Sequence, residues 1–171
     1  MAGWSNLLTS QDTKISSDEF RRVCGHYVTG VGVVTAMVEN GPIGFSINSF
    51  TSVSLDPLLV SFYAAHTSST WAQMKHSEFF AVNILSESQH ELISVFSKKG
   101  IDRFAGLDWE HSPVTGSPLL SNTSGWIDCR ISQVQDIGDH HLIVGEVLGL
   151  HAVSDIAPLA YYRGKFVSLA S

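Results

Sequence analysis

The sequence predicts a mainly β protein, a closed or nearly closed barrel with short helices, and three observations lead there. Apolar runs of strand length recur at short spacing between Val31 and Val153. Turn-forming stretches such as Asn40-Gly41 and Asp136–Asp139 separate them. Few of the helical patterns in between are long enough for the crossover of a parallel βαβ unit. At 171 residues, without a Pro/Gly/Ser-rich divide or an internal repeat, the chain reads as one domain over residues 16–171 behind a flexible tail of residues 1–15.

In chain order, Ser16 and Glu19 form a capping box, and Phe20, Val23, Cys24 and Tyr27 follow at i, i+3, i+4 and i+7. That pattern predicts an amphipathic helix stopping near Gly30. Val31–Val38 reads as a strand too apolar to have a face in water, and Asn40-Gly41 turns it into a second strand near Ile43–Ser49. Ser52–Leu55 and Leu58–Tyr63 are strands on either side of Asp56-Pro57. Ser68-Ser69-Thr70 offers N-caps to a short helix that packs Trp71 and Met74, and Phe79–Leu85 is again strand-like. A second capping box, Ser86 with Gln89, precedes Leu92, Ile93, Val95 and Phe96. Trp126–Val134 and Leu142–Val153 then make a long antiparallel hairpin around the turn-forming tetrad.

Composition narrows the function. Ten Lys and Arg against 16 Asp and Glu leave a net charge of −6, and the basic residues are scattered, which excludes the clustered cations that bind nucleic acid. No apolar run approaches the roughly 18 residues of a membrane span, and the N-terminus lacks the basic start and apolar block of a signal peptide. Cys24 and Cys129 are isolated thiols suited to a reducing compartment, so the expected location is cytoplasmic. With 44% hydrophobic and 15% charged residues, much of the chain should be interior or interface. Gly44–Asn48 lacks the second glycine of a nucleophile elbow. Neither H-x-x-x-H nor H-E-x-x-H occurs among the eight histidines, and His140 and His141 should point to opposite faces of a strand, so no metal ligands are assigned. Gly30-Val31-Gly32 lacks the third glycine of a dinucleotide fingerprint and leads into a strand, as barrel packing would require.

Three polar features remain. The run Gly44–Pro57 is dense in hydroxyl and amide groups; period-two geometry sets Ser46, Asn48, Phe50 and Ser52 on one side and Phe45, Ile47, Ser49 and Thr51 on the other. It is either a solvated edge strand or a row of uncharged donors and acceptors for a planar heterocycle. Ser68-Ser69-Thr70 is either a plain N-cap or an anion site. His140, at a hairpin end, is either an exposed turn residue or a partner for a carboxamide or a stacked ring.

Taken together and in order, Thr29-Gly30-Val31, the Gly44–Pro57 run, Phe80–Leu85, Asp102-Arg103-Phe104, Gly138-Asp139-His140 and Gly145-Glu146-Val147 resemble the short-chain flavin reductases over about Phe20–Phe166. The resemblance implies an FMN-binding split barrel, Greek-key-like, that forms homodimers and reduces FMN or FAD with NADH or NADPH. It also implies a flavin-dependent monooxygenase partner that receives the reduced flavin. Carried over by residue, Ser46, Asn48, Ser49, Ser52, Val53 and Ser54 resemble the flavin-lining segment, and Ser69 and Thr70 the phosphate contacts. Phe104 resembles the residue that walls the flavin, His140 the nicotinamide-side histidine, and Tyr162 a tyrosine of the C-terminal tail. Ile47, Asn48 and Leu58 depart from the pattern many members show. Such chemistry needs no protein nucleophile, which accounts for the missing catalytic constellation. No arginine cluster marks a 2′-phosphate clamp, which favours NADH over NADPH. Two rivals are a split-barrel reductase of a ferric or corrinoid complex and a flavin-binding module without turnover.

Overall fold

The computed structural model describes residues 15–169. The expected tail of residues 1–15 therefore lies, but for Ile15, outside the described residues. The elements run α1 (Ser17–Cys24), β1 (Thr29–Gly30), β2 (Gly32–Val38), β3 (Gly41–Ile47), β4 (Thr51–Leu55), β5 (Leu58–Ala65), α2 (Ser69–Met74), β6 (Phe79–Ile84), a 3-10 turn (Glu87–Gln89) and α3 (His90–Ser97). They continue with β7 (Trp109–His111), β8 (Pro118–Leu120), β9 (Gly125–Ile137), β10 (His140–Ala152), β11 (Ala160–Tyr162) and β12 (Lys165–Val167).

Seven strands form one antiparallel sheet in the order β3-β2-β6-β9-β10-β5-β4. Its two edges, β3 and β4, are joined only by Asn48, Ser49 and Phe50, which can span at most about 11 Å at full extension. The sheet must therefore curl until its edges nearly meet, a barrel with one seam. Val34, Val60, Phe62, Phe80, Cys129 and Ile143, all buried, fill the interior from five strands. Val33, one residue from Val34, points the other way into a second buried cluster with Leu85, Phe96, Phe104 and Leu159. Both faces of β2 are thus covered, as its unbroken apolar run requires. Asn83, fully buried, is satisfied by donating to Thr35 Oγ1 at 3.0 Å and accepting from the Leu120 N–H at 2.7 Å, which ties β6 to β8.

Three expectations are corrected. The first helix ends at Cys24 with Gly25 as its C-cap, well short of Gly30. Among the described residues Phe20 and Val23 stay exposed, and the helix is held by the Ser16 cap, local pairs and the Arg163 N–H donating to Gly25 O at its C-terminal end. Thr29-Gly30 instead pairs with β11 in a small sheet β1-β11-β12. The second strand closes at Ile47 rather than Ser49, because the backbone bends at Asn48 to cross the seam. The hairpin turn is only Gly138-Asp139, with Gly138 at φ +61°, and Asp136 and Ile137 remain in β9 paired with His141 and His140.

Candidate active site at the barrel seam

The seam opens into a cavity of about 670 Å³, within the usual size of a small-molecule site. One wall is Ser46, Ile47, Asn48 and Ser49; the facing wall is Tyr63 and Ala65 of β5 with His140 of β10. Residues 48 and 140, far apart in the chain, thus share one space. The bend at Asn48 abolishes the strict alternation expected there, so Asn48 and Ser49 both reach the cavity. Ser49 Oγ accepts from the Tyr63 N–H at 3.0 Å, standing in for a ladder bond where β4 has already ended. A smaller space of about 290 Å³ shares Ser46, Ile47 and Asn48 and is closed by Tyr161, Phe166 and Ile93.

A third cavity, about 360 Å³, lies along β3 toward α2 and is lined by Ser69, Thr70, Arg103 and Phe104 among others. Ser68 caps α2 by accepting from the Trp71 N–H at 3.2 Å, and Trp71 and Met74 anchor the helix in the core. The sequence sets Arg103 in the Asp102-Arg103-Phe104 motif without giving it a role, yet it organises this cavity. Its Nη1 donates to Gly44 O at 2.6 Å and Thr70 Oγ1 at 2.7 Å, while Nε donates to Lys98 O at 2.8 Å. No ion pair of Arg103 with a carboxylate occurs among the described residues, and partial burial lowers its pKa. A guanidinium held by neutral oxygens in a half-dry cavity keeps its charge for an outside anion. Phe104 is largely core, edge-on to Phe96 and Trp109 with ring centroids 5.4 and 5.7 Å away.

His140 is half-exposed, and its Nδ1 lies 2.7 Å from Asp139 Oδ1. Ser52, Val53 and Ser54 lie on the edge strand β4 and are absent from the walls of these three cavities; so is Tyr162, whose neighbour Tyr161 takes the wall position. Tyr162 packs edge-on against His26 instead.

The lining suits a flat heterocycle bearing amide-like edges. Hydroxyls, a carboxamide and apolar surface surround the main cavity, and neither a carboxylate nor an ammonium or guanidinium group lines it to bias the ring's redox state. An antiparallel barrel split at one seam and lined there by neutral polar groups is the architecture expected of a flavin-binding split barrel. A family model described as flavin reductase like domain matches residues 24–170. The chain belongs to this flavin reductase-like family. It is 39% identical over 155 residues to the reductase subunit HsaB of a flavin-dependent monooxygenase from Rhodococcus jostii, covering 91% of this chain and 79% of that protein. It is 40% identical over 153 residues to a flavin reductase of Pseudomonas putida, covering 89% of each. The solved structure of the NADH:FAD oxidoreductase SgcE6 of Streptomyces globisporus, in complex with NAD and FAD fragments, superposes with a TM-score of 0.87 at 30% identity and 96% coverage of both chains.

Proposed function

We propose that the protein oxidises NADH or NADPH, reduces FMN or FAD, and supplies the reduced flavin to a partner flavin-dependent monooxygenase. The observation that carries this reading is the shared cavity of Asn48 and His140. When both nucleotides are bound, the nicotinamide supplies a hydride and the flavin ring accepts it. The chain's own work is placement. Ser46, Asn48 and Ser49 offer uncharged partners to the edge of the flavin ring, and His140 on the facing wall seats the nicotinamide. Ser69 and Thr70, with Arg103 drawn against Thr70, hold the phosphate end, and Phe104 closes that cavity from the core side. Holding two reactants in register can lower the barrier by several kcal/mol, up to about 11, without any protein nucleophile.

Family membership and the names of the relatives support the reductase activity, and the HsaB description supports a monooxygenase partner. A homodimer is supported by α1, which buries no residue among the described residues and leaves Phe20, Val23 and the nearby Tyr27 and Val28 exposed. Cytoplasmic residence is supported by two free thiols, and no helix among the described residues is long and apolar enough to cross a membrane.

The test mixes the purified protein with NADH or NADPH and FMN or FAD and follows nicotinamide absorbance. Oxidation that requires both protein and flavin is expected. A flat trace with every combination overturns the reading.

A further inference from the structure

On the opposite face of the same sheet, a residue of β9, a residue of β10 and the residue just beyond β5 converge. His141 and Asp136 are directly paired across the β9–β10 hairpin, so their side chains emerge on one face. His66 follows β5 immediately, and its N–H donates to Asp139 O at 3.0 Å, which brings its ring over the same face. Asp136 Oδ1 lies 2.7 Å from His141 Nδ1 and 3.5 Å from His66 Nε2, and each of the three residues offers a ligand atom within 4.8 Å of the other two. The two imidazoles are 4.3 Å apart between centroids, and Trp71 backs His141 at 6.1 Å. Despite its closeness to Asp136, His141 Nδ1 is buried without a well-aligned hydrogen bond. Two rings crowd one carboxylate oxygen that neither bonds in good geometry.

We propose that His66 Nε2, Asp136 Oδ1 and His141 Nδ1 bind a divalent ion of the Zn²⁺ class, with water in the fourth position. Two imidazole nitrogens and one carboxylate oxygen are the donor set of borderline cations rather than of Mg²⁺ or Ca²⁺. Tetrahedral bonds of about 2.0–2.1 Å put ligand atoms about 3.3 Å apart, so side-chain movements of an ångström or so complete the site. An ion there clamps the ends of β5, β9 and β10 beneath the turn that carries His140, while leaving the cavity on the other face open. The site is independent of the hydride-transfer reading, because His140 and Ala65 point to the cavity and His141, Asp136 and His66 away from it.

The test uses tag-free full-length protein stripped of metal by chelation. Co²⁺ titration followed by visible d–d absorption, and Zn²⁺ titration followed by calorimetry, should each show one ion per chain, with Zn²⁺ displacing Co²⁺. His66→Ala and Asp136→Asn, both at exposed side chains, should each weaken binding at least about tenfold, since even outer-shell partners have effects of that size. Zn²⁺ should raise the melting temperature of the parent protein and not of either variant. No binding by the parent protein, or binding by both variants as tight as the parent's, overturns the proposal.

Discussion

At the tip of the β9–β10 hairpin, His140 Nδ1 lies 2.7 Å from the carboxylate of Asp139, its immediate neighbour in the chain. An ionised carboxylate can only accept, so Nδ1 holds the proton and donates it, and Nε2 is the nitrogen left for a ligand. The hydrogen bond from His140, and then its charge, hold the Asp139 carboxyl below its ordinary range.

Replacing that carboxylate should therefore disturb one nucleotide and spare the other. In Asp139→Asn the carboxamide can donate as well as accept and no longer dictates the ring's tautomer, so KM for the nicotinamide should rise several-fold while flavin affinity holds. The sign of the pH effect follows from the depressed pKa: the orienting contact is complete above the ordinary aspartate value of about 3.9 and is lost only as pH falls through the lower folded value. Steady-state kinetics alongside a flavin titration check this; equal loss on both sides counts against the assigned orientation.

Arg103 separates a phosphate role from a structural one. Hydrogen bonds to charged groups contribute about 1.5–3 kcal/mol, so Arg103→Ala should weaken FMN binding by roughly 10- to 100-fold. Riboflavin, which has the same ring and no phosphate, should lose far less. Arg103→Lys should recover only part of the FMN affinity, because one ammonium cannot reach Gly44 O, Thr70 Oγ1 and Lys98 O together. Fluorescence titration with both flavins decides, and equal losses would assign Arg103 to holding β3 against α2.

What could be read from the sequence follows from how local its cause is. β2 was legible because a strand covered on both faces must be apolar throughout, and the β9–β10 hairpin because its turn residues sit between two apolar runs. β7, β8, β11 and β12, each three residues long, have too few positions to show a period. Periodicity draws α1 too long because it reports an apolar face and not whether the described residues provide anything to cover it. Ser46, Asn48, Ser49 and His140 stand in motifs that single them out, and the seam cavity brings them together. The role of Arg103, quoted only as part of its motif, is not legible because its partners are Gly44, Thr70 and Lys98, distant in sequence or backbone atoms. The His66, Asp136 and His141 group was invisible for the same reason, since its spacing matches no local ligand pattern and only β5–β10–β9 pairing assembles it.

The glycine at 145 is set by packing. A Cβ there would sit well inside van der Waals contact with the ring of Phe80, which is fully buried, and 3.0 Å from Cys129 Cβ. Phe80 has no room to retreat, so Gly145→Ala should cost about 1–3 kcal/mol of stability. Gly30→Ala, with open space around the added methyl, should change it by less than about 0.5 kcal/mol. Urea midpoints of the two variants at constant m-value provide the comparison.

The two cysteines should differ in reactivity by as much as their surroundings do. Cys24 is exposed on α1, whereas Cys129 is fully buried on β9, where burial, and then the negative charge of Asp128, push its thiol up to about 12. The thiolate is the reactive species, so a disulfide reagent at mildly alkaline pH should titrate one thiol rapidly in the folded protein and two after unfolding. The same shift fixes a slope. Below the ordinary value of 9.0 both folded and unfolded thiols are protonated and the group has no effect; above it the unfolded thiol ionises first, so the folded state loses stability steadily as pH climbs toward 12. Cys129→Ala removes this thiol and should flatten that alkaline slope while lowering stability at neutral pH. Two fast thiols in the native protein, or an alkaline slope unchanged in the variant, would show that β9 does not seal this position from water.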